Sequence, residues 1–175
     1  MFEQIKYLVL DVDGTMTDAG IYYDSTGNEI KKFCTRDGVG FVAARRAGIK
    51  LIVLTGRECP ATTRRMQEMK IDFLYQKVEN KKDFLTEFMA ERDIAKESMG
   101  YIGDDINDYP AMSLAAFVGC PKDSCEQVKQ AASYVSGVCG GAGAVRDVIE
   151  YLLRQRGEWE TVISAMYGEY GAGCR

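Results

Sequence analysis

Tyr7-Leu8-Val9-Leu10-Asp11-Val12-Asp13-Gly14-Thr15 reads as an apolar strand that delivers two carboxylates two residues apart and then breaks at a glycine. Strand side chains alternate with period two, so Asp11 and Asp13 leave the strand's end on the same side. Two readings are open. In one, Asp11 is a strand-terminal cap and Asp13-Gly14 an ordinary turn. In the other, one aspartate attacks phosphorus, the second handles the proton, and Mg²⁺ screens the clustered negative charge.

Outward from this stretch, short β-rich apolar runs alternate with helical patterns. Strands are expected near 7–12, 50–54, 73–75, 99–102 and 116–118, and helices near 38–47, 60–69, 81–92 and 105–114. Such alternation predicts an α/β fold, a three-layer Rossmann-like parallel sheet with helices on both faces. Ligands of such sheets bind outside the carboxyl ends of the strands. Small or polar clusters stand at three of those ends: Asp11 to Thr15, Thr55-Gly56-Arg57, and Gly103-Asp104-Asp105.

The 175 residues suit a single domain, 1–157, with 158–175 as a tail that is partly helical and then flexible. Lys and Arg number 22 against 26 Asp and Glu, a net charge of −4 with no basic stripe, so no nucleic-acid partner is expected. The longest apolar runs, such as Leu51-Ile52-Val53-Leu54, fall far short of a membrane span, and no membrane partner is expected either. The six cysteines include no Cys-x-x-Cys pair and read as free thiols in a reducing compartment, the cytoplasm. No histidine is present, which excludes Ser-His-Asp and Cys-His chemistry and leaves acid–base work to carboxylates, lysine or tyrosine.

Residues 20–33 read as a protruding hairpin, two β-prone arms around Thr26-Gly27-Asn28. A hairpin is marginal alone, so its apolar residues are expected to pack on a neighbouring subunit. Val145, Val148, Ile149, Leu152 and Leu153 mark one helical face, and Trp159, Val162, Ile163, Met166 and Tyr167 a second; both are expected to cover the domain body.

The strand ends assemble into a phosphoryl-transfer site. Asp11 is the expected nucleophile, taking up a phosphoryl group and releasing it to water. Asp13 protonates the leaving alcohol and then deprotonates the water. Asp104 completes an all-oxygen Mg²⁺ shell with Asp11 and the backbone carbonyl of Asp13. Thr55 holds a phosphoryl oxygen and Lys81 offsets charge on the others. Thr55-Gly56 can equally be a plain turn, and Lys81 a solvated helix-start lysine. Asp105 and Asp108 either assist the metal at one remove or orient Lys81.

Asp11-Val12-Asp13-Gly14-Thr15, Thr55-Gly56-Arg57, Lys81 and Gly103-Asp104-Asp105 resemble, in order, the four motifs of the haloacid dehalogenase superfamily of phosphotransferases. The second aspartate, Asp13, resembles the phosphatase branch. Only 25 residues separate Thr55 from Lys81 and 39 separate Thr15 from Thr55, part of them the hairpin, so neither gap holds a cap domain. A capless chain with a hairpin there is similar to the octulosonate 8-phosphate phosphatase group, from about residue 5 to about 157. The resemblance implies that hairpins assemble a homotetramer in which a neighbouring subunit closes each site.

It also implies that Thr35, Arg36, Asp37 and Gly38 contact substrate, with Gly56 beside them and Arg57 and Arg65 binding anionic groups. Guanidinium groups suit a substrate that carries both a carboxylate and a phosphate. Gly140-Gly141-Ala142-Gly143 resembles the group's glycine-rich segment. Val42 stands where some members carry an arginine, and the tail after Gly157 is longer and glycine-spaced; it is expected to reach into a neighbour's pocket.

The implied activity is Mg²⁺-dependent hydrolysis of a sugar phosphate, a 3-deoxy-ulosonate phosphate. The eight-carbon 8-phosphate comes first and sialic-type 9-phosphates second. A non-catalytic oligomerisation module has no use for the acidic cluster, and a phosphomutase needs a cap to exclude water.

Overall fold

The computed structural model describes residues 2–168. Of the glycine-spaced tail expected after Gly157, residues 169–175 lie outside the described residues.

Six strands form one parallel sheet: β1 (Tyr7–Leu10), β4 (Lys50–Leu54), β5 (Phe73–Tyr75), β6 (Met99–Ile102), β7 (Phe117–Cys120) and β8 (Tyr134–Val135), in the order β5-β4-β1-β6-β7-β8. β1 is central, and its register places Leu10 opposite Val53 of β4 on one side and Ile102 of β6 on the other. The carboxyl ends of these three strands therefore finish nearly level, and the residues after them crowd one edge. Their side chains alternate between two cores, as the period of a strand requires. Leu8, Leu10, Leu51, Val53 and Ile102 enter one core. Val9, Ile52, Leu54, Met99 and Tyr101 enter the other.

The first core is closed by α1 (Asp37–Arg46), α6 (Ala144–Gln155) and α7 (Trp159–Tyr167), which contribute Phe41, Val148, Leu152 and Trp159. The two C-terminal apolar stripes do cover the body, and Trp159 and Ile163 are buried; Tyr167, the last of the second stripe, is exposed. The second core is closed by α3 (Lys81–Glu91), with Leu85 and Phe88, and by α4 (Tyr109–Met112). α2 (Pro60–Glu68) begins on a proline at its first position, where the missing N–H costs nothing. α3 begins on Asn80, whose side chain accepts the Asp83 amide.

The structure corrects several boundaries. A helix over 105–114 shrinks to α4, because the buried Asp108 carboxylate takes the Asp104 amide and Pro110 has no N–H to donate. β1 ends at Leu10 rather than residue 12, since Val12 O turns to accept the amides of Met16 and Thr17. The sheet also gains α5 (Glu126–Ala131) and the two-residue β8, too short to show periodicity.

Tyr22–Tyr23 (β2) and Glu29–Ile30 (β3) pair antiparallel, and Thr17 bridges Phe33 at the hairpin's root. Asp24 sets the tip, accepting the amides of Thr26 and Asn28 and the Thr26 hydroxyl. These bonds hold its carboxyl well below the usual range. Ile21, Tyr22, Tyr23 and Ile30 are exposed.

Candidate active site

The level strand ends bring Asp11, Asp104 and Lys81 together as the sequence predicts. Asp11 and Lys81 are buried. Lys81 Nζ donates to Asp11 Oδ1 at 2.5 Å and to Asp108 Oδ1 at 2.6 Å. Asp108 is fully buried and, besides Lys81, accepts the Tyr101 hydroxyl at 2.7 Å and the Asp104 amide at 3.2 Å. Asp105 is exposed, and its carboxylate takes the Ile106 amide. Asp104 Oδ1 accepts the Thr15 hydroxyl at 2.9 Å, a bond no sequence signal announced.

Oxygens of Asp11, Asp104 and Asp108 lie within 4.8 Å of one another. Burial raises the Asp11 pKa well above the ordinary carboxylate value, and the Asp108 charge adds to this against the pull of Lys81. Burial likewise lifts Asp104 to about 7, opposed by the Thr15 hydroxyl and reinforced by Asp108 and Asp105. Burial alone would lower the Lys81 pKa, but the two carboxylates overcome it and raise it. One ammonium cannot balance three carboxylates held this close. The donor set, all carboxylate oxygen and short of positive charge, fits a hard divalent cation.

Gly14 is required by this geometry: its φ is +94°, and a Cβ there would lie 2.0 Å from Asp104 Oδ2. The glycine-rich segment also gains a physical reason. A Cβ on Gly140 would lie 1.9 Å from the carbonyl oxygen of Gly14, so only bare backbone can support the Asp11–Thr15 loop there.

Asp13 is placed differently. Its carboxylate does not join the acidic cluster but faces the hairpin, where Lys31 Nζ contacts Oδ1. Lys31 also meets Glu29 at 3.1 Å, and Glu29 accepts from Arg57 at 2.8 Å. Arg57 Nε in turn stands 4.0 Å from Asp13 Oδ2. Glu29 and Lys31 were missed in the sequence because a charged hairpin arm looks like any solvated surface. Thr55 is buried at the end of β4, its hydroxyl oxygen accepting the Arg57 amide at 3.3 Å, so its proton can serve another acceptor. Gly56 beside it is exposed.

No protein-family model matches the chain. It is 35% identical over 156 residues to the 3-deoxy-D-manno-octulosonate 8-phosphate phosphatase of Escherichia coli strain K12, spanning 89% of this chain and 83% of that protein. The chain belongs to the octulosonate 8-phosphate phosphatase family. This family lies in the haloacid dehalogenase superfamily, whose parallel sheet and flanking helices the chain shares. The Moraxella catarrhalis phosphatase, in complex with magnesium, phosphate and KDO, superposes with a TM-score of 0.89 at 33% identity over 94% of this chain and 95% of that one. The cobalt-bound Haemophilus influenzae phosphatase does so with a TM-score of 0.86 at 32% identity, over 94% and 96%.

The residues that the octulosonate 8-phosphate phosphatase resemblance assigns to substrate lie at the start of α1, in the loop after β4 and on α2. Thr35 and Arg36 are exposed. Arg36 lines a hollow of about 260 Å³ with Gly143, Arg146 and Glu150, whose walls include neither Asp11 nor Asp104. Asp37 is buried and accepts the Arg146 amide at 2.9 Å, so it caps the first turn of α6 across the core. Burial raises its pKa to about 6, with the Arg146 amide and Arg65 opposing. Arg65 bonds Glu68 at 3.4 Å, and its guanidinium lies 3.9 Å from where a Gly38 Cβ would stand.

Proposed function

We propose that the protein is a Mg²⁺-dependent phosphatase that hydrolyses 3-deoxy-D-manno-octulosonate 8-phosphate through an aspartyl-phosphate at Asp11. The observation that carries this reading is the buried Asp11 carboxylate, tethered by Lys81 through one oxygen and set beside Asp104 and Asp108. Lys81 fixes Oδ1, which leaves Oδ2 to form the bond to phosphorus. As that bond forms and the ester P–O bond breaks, Asp13 gives its proton to the leaving alcohol oxygen. It then takes a proton from water as the water oxygen bonds phosphorus and the Asp11–phosphorus bond breaks. Thr55 donates its hydroxyl to a phosphoryl oxygen, and the Lys81 ammonium offsets charge there. Asp11, Asp104 and the backbone carbonyl of Asp13 would hold a magnesium ion, which would supply charge neutralisation for the phosphoryl group.

Gly56 and Arg57, in the loop after β4, form the mouth that receives the sugar acid. The resemblance assigns Thr35 to Gly38 and Arg65 to substrate as well, but Asp37 is buried against the first turn of α6 and Arg36 lines the hollow beside Arg146. The exposed Ile21, Tyr22, Tyr23 and Ile30 suit a homotetramer built on the hairpins, each site closed by a neighbour. The cysteines among the described residues are free thiols, which suits the cytoplasm. Among these residues no helix is long and apolar enough to cross a membrane.

Phosphate release from a panel of sugar phosphates, including the octulosonate 8-phosphate and sialic-type 9-phosphates, tests the reading. Turnover of the 8-phosphate is expected with Mg²⁺, lost in EDTA and lost in a folded Asp11→Asn variant. An active Asp11→Asn variant overturns the mechanism, and a preference for a 9-phosphate overturns the substrate.

A further inference from the structure

The Asp13 side chain has a cationic partner that lies outside the four motifs. We propose that Lys31, delivered by the β2–β3 hairpin, is the positioning residue for Asp13, so that the hairpin is a working part of the acid–base machinery. The inference rests on Asp13 being the acid and base of the proposed phosphatase.

Four charges from three segments close a ring. Lys31 and Glu29 come from the hairpin, Asp13 from the loop after β1, and Arg57 from the loop after β4. The Lys31 side chain is only 1% exposed, so its ammonium is held in place rather than waving in solvent. A buried ammonium is stable only when paired, and its partners here are Asp13 and Glu29. These carboxylates, together, raise the Lys31 pKa against the opposing effect of burial. Glu29 is fixed in turn by Arg57 at 2.8 Å. The root bridge between Thr17 and Phe33 ties the hairpin to the end of the Asp11–Thr15 loop.

The two lysines divide the work. Lys81 is committed to Asp11 and Asp108 and orients the nucleophile. Lys31 takes Asp13 Oδ1, which leaves Oδ2 as the oxygen that passes the proton to the ester oxygen and later receives one from water. Without Lys31 the Asp13 carboxyl, 26% exposed, can rotate away from that line.

A general acid matters most when the leaving group is poor. An alkyl sugar phosphate needs its alcohol protonated, whereas p-nitrophenyl phosphate expels a stable phenolate without a proton. The ratio kcat/KM covers the steps from free enzyme and substrate through departure of the alcohol and leaves out the later hydrolysis of the aspartyl-phosphate. For Lys31→Met the expected result is a loss of kcat/KM of about tenfold to hundredfold on the sugar phosphate and a much smaller loss on the aryl phosphate. Lys31→Arg, which keeps the charge, should recover most of the difference. If Lys31→Met does not fold, Glu29→Gln releases Lys31 from one partner and should show the same selectivity in smaller measure. Equal losses on both esters, or none on either, overturn the inference while leaving the phosphatase reading intact. Wild-type protein that hydrolyses neither ester with Mg²⁺ overturns both.

Discussion

Replacing Lys81 by methionine removes one positive charge from the most buried part of the site and keeps the length of the side chain. Its side chain is 2% exposed, and those of its two partners are 5% and 0% exposed. Breaking a buried ion pair from one side costs about 3–5 kcal/mol, because the remaining charge is left without compensation. At ~2–4 °C per kcal/mol for a chain of this size, the melting temperature in EDTA should fall by roughly 10 °C. Added Mg²⁺ should recover part of that loss, since the cation supplies the missing charge to the same carboxylates. Turnover should still fall by about 10²–10³-fold at saturating Mg²⁺, because the cation does not replace the Lys81 ammonium that holds Asp11 Oδ1 and shares in offsetting charge at the phosphoryl group. Thermal melts with and without Mg²⁺, and phosphate release, measure both effects. A melting point in EDTA within about 2 °C of wild type would refute the argument that this lysine compensates the cluster.

Gly14→Ala is expected to cost about 1–2 kcal/mol from its positive φ and to push Asp104 aside, raising the Mg²⁺ concentration for half-maximal turnover; an unchanged requirement would remove Asp104 from the metal site. Asp37 carries a pKa of about 6 in the fold against an ordinary 3.8. The folded state therefore holds its proton more tightly, and stability from this group is full below pH ~4 and lost as pH rises to ~6. Asp37→Asn keeps the acceptor for the Arg146 amide, so it should match wild type near pH 4 and exceed it by up to ~3 kcal/mol at pH 7, measured by urea unfolding. Charging the hairpin with Ile21→Lys and Tyr23→Lys together should convert a sedimenting tetramer to smaller species with lower activity; full activity in a monomer would show that no neighbour completes the site.

The parallel sheet was legible because strands buried on both faces must be short apolar runs, and Leu8-Val9-Leu10, Leu51 to Leu54 and Gly100 to Ile102 are such runs. Asp11 and Asp104 were legible for a related reason: charged residues that follow buried strands need a function to offset their desolvation, whereas Lys81 read equally as a solvated helix-start lysine and only the fold buries it. The sequence by itself thus determined the fold class and the ends of the strands where chemistry gathers. It could not determine which of Asp105 and Asp108 turns inward, because neighbours in a loop carry no period, and only packing against Tyr101 and Lys81 buries Asp108. Nor could it show that Asp37 caps a helix 109 residues away, or that a hairpin arm sends Lys31 to Asp13. Those contacts join segments distant in the chain, and burial and electrostatic pairing, which depend on three-dimensional neighbours rather than local pattern, decided them.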